Sequence, residues 1–336
     1  MFTKHATAGI WPALLALVVA CTSSVPAAPL TPTPSPVATP SFSTLPAPLP
    51  EQRMEAPLPA PIEEAAAASA GGKLYVMGGF NAAGASLASV YVFDGSSWST
   101  GPPLLLPVDH PSAATLDGRL YLAGGHSNGA DSPRMFRLDV DHWTEMARMQ
   151  FPRGGHALVA AEGKLFAIGG NTSRGQVAAV ESYDPATNAW SAQPALPSPR
   201  NHVSGFVVNG SACVAGGRYP TTTRVDCLDV ARGTWSRLPD LPRATSGAGA
   251  VTFLGGAVVV AGGQNAGETA IVDQFTSYMP GKAWSTGETM LVPRHGFELA
   301  LFGGRAWACG GGTAPGLHPV ATCTSLGNLS AVQRGK

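Results

Sequence analysis

The sequence predicts an all-β chain of six units, each of four short antiparallel strands, set around an axis as the blades of a β-propeller. Three observations carry that expectation. An apolar run closed by two glycines returns six times, as GKLYVMGG, GRLYLAGG, GKLFAIGG, GSACVAGG, GAVVVAGG and GRAWACGG, with first glycines at Gly78, Gly124, Gly169, Gly216, Gly262 and Gly310. The spacings are 46, 45, 47, 46 and 48 residues, a period that belongs to propeller blades. In phase with it, Trp98, Trp143, Trp190, Trp235 and Trp284 each stand 26 or 27 residues before the next pair. Finally, only 12% of the 336 residues are charged, while Gly (41) and Pro (30) abound, which suits short strands joined by many turns. Lys and Arg balance Asp and Glu at net charge zero, so the basic excess of a nucleic-acid binder is absent.

Residues 1–20 are set aside as a targeting segment. Lys4 and His5 precede an apolar run of about thirteen residues, too short to span a bilayer as a permanent helix. It ends in LVVAC, and Val18, Val19, Ala20 and Cys21 resemble a bacterial lipobox. That resemblance implies cleavage before Cys21 and a diacylglycerol on its sulfur. The other reading is an ordinary secretory signal cut nearby, for example after Ala28. Both imply export. Residues 21–50 are Pro, Thr, Ser and Ala with no charge. Such a segment favours polyproline II and reads as a tether. Thr22 after the cysteine, by resemblance to Gram-negative lipoproteins, points to the outer membrane. The expectation is a chain lipid-anchored at the cell envelope, with residues 51–330 as the propeller.

Within each unit, an apolar strand precedes the glycine-ended strand. An acid-ended run such as SVYVFDG or AVESYDP follows, and the tryptophan strand comes last. We call these strands a to d. Pro-Arg, apolar strand, Gly-Gly, a V-x-x-Y-D strand and Trp together resemble the kelch repeat, over residues 51 to 328. The sixth unit lacks a final Trp. Residues 51 to 57 fit that vacancy, with Gln52 in the Trp position, so the N-terminal segment is expected to close the ring. The alternative is that GNLSAVQ (327 to 333) completes the blade.

Antiparallel meanders put the d-to-a and b-to-c connections on one face. The d-to-a loops carry Arg153, Arg200, Arg243 and Arg294 after prolines, with Ile62 and Val108 in the same slot of the first two units. Glu63, Glu64, Asp109, His110, Asn201, His202 and His295 follow directly, so one channel mouth is expected to be ringed by these groups. In similar kelch domains the arginine and the polar residues after the glycine pair grip peptides. That resemblance makes Arg153, Arg200 and Arg294 candidate ligand contacts, with Asn81, Asn128, Arg218, Tyr219 and Gln264. The competing reading has the arginines stapling loops to backbone carbonyls.

Four cysteines remain beyond Cys21: Cys213 and Cys227, Cys309 and Cys323, each pair fourteen positions apart. Hairpins centred on residues 220 and 316 set each pair on facing strands b and c. Export then favours two intrablade disulfides over buried thiols. No CxxC or HxxxH spacing points to a metal, and no cofactor is expected.

Three function classes stay open. The first is a monomeric binding module for a protein or glycan. The second is a sugar-processing enzyme. Periplasmic sialic acid mutarotases are six-bladed kelch propellers, and Glu63, Glu64 and Glu298 near His295 could move protons on a sugar. The copper oxidases among kelch propellers use two tyrosines, two histidines and a cross-linked cysteine, and no such constellation occurs here. The third is a structural spacer.

Overall fold

A computed structural model describes residues 51–327. The expected signal peptide (1–20), tether (21–50) with Cys21, and most of the alternative closing segment lie outside the described residues. Among these residues there is no helix, and six four-stranded antiparallel sheets make the blades. Strand a is Ala66–Ala70, Ser112–Leu116, Ala157–Ala161, Ser204–Val208, Gly249–Thr252 and Leu299–Phe302 in blades one to six. These six strands contact one another in cyclic order and line the axis.

The hydrophobic cores lie between blades. Alternate side chains of a strand point to opposite faces, so each blade feeds two cores. On strand b of blade one (Lys73–Met77), Leu74 and Val76 pack towards blade six with Phe93, Trp307 and Cys309, whereas Met77 packs towards blade two with Leu122 and Phe136. Six such clusters fill the six interfaces.

The ring is closed by the N-terminal strand. Gln52–Glu55 pairs antiparallel with Cys323–Leu326 as strand d of blade six, Gln52 opposite Leu326 and Glu55 opposite Cys323. The place offered to residues 327 to 333 is thereby taken. Closure leaves no open sheet edge in that blade's inner ladder. The tryptophans stitch each blade to the preceding one. Nε1 of Trp98, Trp143, Trp190, Trp235 and Trp284 donates to the carbonyls of Ala56, Pro102, Ala147, Pro194 and Pro239 at 2.8–2.9 Å. Gln52 completes the sixfold set. Its Nε2 donates to Thr289 O at 2.9 Å, and its Oε1 accepts from Leu291 N at 3.0 Å. A side-chain amide thus performs the indole's hydrogen bond where the indole is missing.

Cys213 faces Cys227 and Cys309 faces Cys323 across strands b and c, as disulfides with Cα separations of 4.0 and 4.1 Å.

The glycine pairs are explained by close approach. In blade three both have positive φ, 71° at Gly169 and 96° at Gly170. A Cβ on Gly169 would stand 2.7 Å from Arg200 O of the next blade, and one on Gly170 2.8 Å from Gly154 O of its own. The second glycine's N–H donates to that next-blade carbonyl, Gly170 N to Arg200 O at 3.0 Å. The same bond recurs from Gly79, Gly125, Gly217, Gly263 and Gly311 to Val108, Arg153, Thr245, Arg294 and Ile62. Each glycine pair is therefore the point where two blades touch backbone to backbone. Gly169→Ala should destabilise the protein by on the order of 3 kcal/mol, through collision and strain together. Gly163→Ala, in the same blade with φ of 73° and open space around it, should cost only about 1–2 kcal/mol. Urea melts of the two variants check the contrast, and equal losses would remove the close-approach account.

Candidate functional site at the channel mouth

On the face carrying the d-to-a loops, the slot carbonyl just described is followed by two residues per blade. The second of these closes a ring around the axis. Glu64 N donates to Gly296 O (2.7 Å), His110 N to Glu64 O (2.9 Å), Gly155 N to His110 O (3.0 Å) and His202 N to Gly155 O (2.6 Å). Gly247 N to His202 O and Gly296 N to Gly247 O, both 2.9 Å, complete it. All six residues have φ between 51° and 65°. Three are glycines, which adopt this conformation freely. The other three are Glu64, His110 and His202, which hold a left-handed backbone at a cost of roughly 1–2 kcal/mol each.

The first residue after the slot pairs instead with the residue just after the glycine pair. The pairs are Glu63 with Phe80, Asp109 with His126, Gly154 with Asn171, Asn201 with Arg218, Ser246 with Gln264 and His295 with Gly312. This register brings a polar network to the mouth. His295 Nε2 is 3.2 Å from Glu63 Oε1, whose Oε2 accepts from His318 N at 2.8 Å. His110 Nδ1 donates to Asp109 Oδ1 at 2.7 Å, and its Nε2 is 3.6 Å from Glu64 Oε2. His202 Nδ1 donates to Asn201 Oδ1, and its Nε2 accepts from Arg218 Nη2 at 2.9 Å. Arg218 also donates to Gln264 Oε1 (3.2 Å) and pairs with Glu268 (2.8 Å).

Burial sets the protonation of this network. It pushes the Glu63 carboxyl up to about 7, against the His318 N–H bond that favours the anion. It drives the His202 imidazole well below the ordinary histidine value, helped by Arg218 and His110. Burial alone would lower His110 too, but Glu64 and the Asp109 hydrogen bond leave it raised. The mouth therefore holds a neutral imidazole and a more basic one on either side of Glu64.

The arginine expectation needs correction. Arg153, Arg200 and Arg294 are 0%, 1% and 0% exposed, and they point into the blades rather than to the mouth. Arg153 donates to Gly169 O (3.1 Å), Ala179 O (2.6 Å) and Glu181 (2.8 Å). Arg200 donates to Gly216 O (2.6 Å) and pairs with Asp226 (2.9 Å). Arg294 has no carboxylate partner among these contacts. It donates to Gly310 O and Thr322 O, and burial lowers its pKa to about 10. These guanidiniums staple the slot to strands b and c, which leaves no donors for a ligand. In blade five the slot is Thr245, whose Oγ1 donates to Gly262 O at 2.7 Å. Arg243 lies two residues earlier and half-exposed beside Asp273.

Of the other expected residues, Arg218 and Gln264 sit in the mouth network. Tyr219, 62% exposed, lies beside Arg218, whose guanidinium is 5.3 Å from the ring centroid. Asn81 turns into its own loop, where its Oδ1 accepts from Ala83 N and Ala85 N. Asn128 is exposed at φ 49°. They stand one and two positions beyond the residue that follows the glycine pair, Phe80 and His126. The residue immediately after the glycine pair faces the mouth, and in blade two that residue is His126, opposite Asp109. His126, which burial lowers in pKa, pairs with Asp131 at 3.0 Å. Glu268, the partner of Arg218, carried no repeat-derived mark.

Glu298 is not part of the mouth cluster. It reaches across the bore, where Oε1 accepts from Ser112 Oγ (2.6 Å) and Oε2 from Ala67 N (2.8 Å), tying blade six to blades one and two. It stands between a mouth cavity of about 50 Å³, lined also by Glu64, His110, His156 and His202, and a bore cavity of about 70 Å³. A wider cavity of about 320 Å³ opens at the other end. Burial pushes the Glu298 carboxyl up to about 7.

Comparison with known proteins agrees with this architecture. The family described as the KLHDC2/KLHL20/DRC7 Kelch-repeats domain matches residues 42–217. Kelch-like protein 25 of Xenopus tropicalis is 31% identical over 205 residues, covering 56% of this chain and 34% of the relative. Beta-scruin of Limulus polyphemus is 28% identical over 163 residues, covering 44% and 18%. The chain thus spans about a third or less of the length of these curated relatives. A solved structure titled "Structure of YjhT" superposes with a TM-score of 0.68 at 16% identity, covering 80% of this chain and 95% of that one. At that identity the likeness speaks for the fold.

Glu63 and Glu298 both have folded pKa values near 7 against an ordinary 4.5. The folded state therefore holds protons that the unfolded chain has lost between those values, and stability falls as pH rises through that window. The melting temperature should decline from about pH 4.5 to 7 on this account. Glu298→Gln can keep the Ala67 bond and donate to Ser112 Oγ, so it should flatten the decline. An unchanged slope in thermal melts would refute the Glu298 contribution.

Proposed function

Because this chain belongs to the kelch-repeat domain family, we propose that it is a recognition module that grips a protein segment or a glycan across the face of the channel mouth. A lipid on Cys21 and the segment 21–50 would hold it at the cell envelope, with the propeller acting as a monomer. A kelch propeller is consistent with a protein-binding module. The observation that carries the reading to this face is Tyr219. It is exposed on the b-to-c loop of blade four, next to Arg218, which links the surface to the buried network of Gln264, His202 and Asn201. A rigid aromatic beside an arginine is the composition of a binding hot spot. Among the described residues, eight large apolar side chains stand exposed, and five of them (Leu105, Phe151, Tyr219, Leu291 and Leu317) lie in d-to-a or b-to-c loops. These five come from five different loops of the same face, and a partner that spans that face would cover them together.

A second reading rests on Glu63. A carboxyl with pKa near 7, placed 3.2 Å from His295, is suited to proton transfer at neutral pH. It favours a sugar-processing enzyme like the sialic acid mutarotases.

Two experiments separate these readings. With the full chain as bait and a partner captured from envelope extract, Tyr219→Ala should weaken binding by about tenfold or more. Val140→Ala on the opposite face should leave it unchanged, and equal behaviour of the two variants would sink the mouth-face assignment. For the enzyme, anomer exchange across a panel of free sugars followed by NMR should be accelerated by the wild type and not by Glu63→Gln. No acceleration by the wild type on any sugar would remove the second reading.

A further inference from the structure

We infer that Glu64, His110 and His202 form a site for one divalent transition-metal ion of the zinc type at the axial end of the channel. The inference does not depend on the recognition reading.

The first ground is where backbone strain falls. The axial ring has six equivalent positions, all left-handed, and glycine would serve at every one. Glycine occupies three of them, at Gly155, Gly247 and Gly296. The three that keep side chains in a costly conformation are Glu64, His110 and His202. Strain retained at selected positions points from geometry to function, and these three residues are a carboxylate and two imidazoles.

The second ground is distance. Glu64 Oε2 lies 3.6 Å from His110 Nε2, and Glu64 Oε1 lies 3.8 Å from His202 Nε2. One ligand atom from each residue can be chosen so that all fall within 4.8 Å of one another. Bonds of 2.0–2.1 Å in a tetrahedral zinc site set ligand atoms about 3.3 Å apart, so each imidazole stands within about half an ångström of that spacing from one Glu64 oxygen, and the set as a whole, within 4.8 Å, must draw in by up to about 1.5 Å as the ion binds.

The third ground is the orientation of the rings. His110 Nδ1–H is committed to Asp109, and His202 Nδ1–H to Asn201. Each ring thereby turns its Nε2 towards Glu64, and metal entry displaces any proton held there. A partner on one ring nitrogen that presents the other to the ion is the usual outer support of metal-binding histidines. A cationic group already sits on one of these lone pairs, since Arg218 Nη2 is 2.9 Å from His202 Nε2. The guanidinium holds the place of a cation and must swing away on metal entry. Its other partners are Glu268, Gln264 and Asn201, of which the carboxylate of Glu268 can hold the guanidinium once it has moved. Two imidazoles and one carboxylate suit zinc, cobalt, nickel or iron(II), rather than calcium or magnesium. The remaining positions of the ion would face the mouth cavity, where His156 is buried with both ring nitrogens unpartnered.

The test uses the full chain. Zn²⁺ titrated by calorimetry should bind at about one ion per chain, and Co²⁺ should give the visible bands of a four-coordinate centre. Glu64→Gln and His202→Asn should each weaken binding by more than about 100-fold, and Asp109→Asn by roughly 10–100-fold as an outer support. Arg218→Met should tighten it by on the order of tenfold, because a competing charge beside the ion is removed. Thermal melts without metal report whether a variant is folded. If one is not, Zn²⁺-induced shifts of the His110 and His202 ring resonances in the wild type decide the site. Absence of binding by the folded wild type overturns the inference. So does binding that survives Glu64→Gln and is lost with His142→Ala, the exposed histidine beside Asp139 and Asp141 on an outer turn.

Discussion

The hydrogen bond from the second glycine of each pair to the slot carbonyl of the next blade is the constraint from which the rest follows. It brings two backbones so close that no Cβ fits on either glycine in blade three. That contact fixes the d-to-a loop of one blade against the b-to-c loop of its neighbour, and so decides which residues reach the axis. With the slot pinned, the next residue must pair with the b-to-c loop and the one after must turn left-handed towards the channel. The mouth network is thus a by-product of blade docking rather than a separately built pocket. Its side chains can change identity without disturbing the six-membered backbone ring.

The buried arginines serve the same constraint from inside. In blades three and four a guanidinium ties the slot to strand b and to a carboxylate on strand c, Glu181 or Asp226. In blade five Thr245 makes the essential bond with one hydroxyl. Only the bond to the first glycine's carbonyl is common to all these versions. A buried ion pair is at best neutral towards stability compared with an apolar replacement. Its contribution here is to hold a loop in register, and a threonine can supply that as well.

The fold was legible because each blade repeats the same local requirements. A close approach needs glycine, and an interblade seam needs a flat ring with one donor, so both leave a mark at every period. Even the exception could be read, since Gln52 aligned with the missing Trp and makes the same bond. The site was legible in part. Glu63, Glu64, His110, His202 and His295 were placed at the mouth by counting from the slot. The arginines beside them misled, because their partners Glu181 and Asp226 lie a whole strand pair further on and no local pattern joins them. Asn81 and Asn128 failed for the opposite reason: loop polarity was read without counting from the glycines. Local spacing rules for metal ligands were blind to Glu64, His110 and His202, which come from three blades and meet only at the axis.

Closure by the N-terminal strand has a consequence for how the protein is made. Gln52 is among the first residues of the domain to be synthesised, yet its ladder partner Leu326 is among the last. Until that partner arrives, blade six lacks its outer strand, and the apolar faces of blades one and six have nothing to cover them. The blades between them can dock in sequence by local contacts, but the ring as a whole cannot settle early. Such a long-range final step slows folding and lengthens the time during which sheet edges are exposed. A chain that stops before Cys323 would therefore be an open arc with two adhesive ends, and the cell must shield or degrade it.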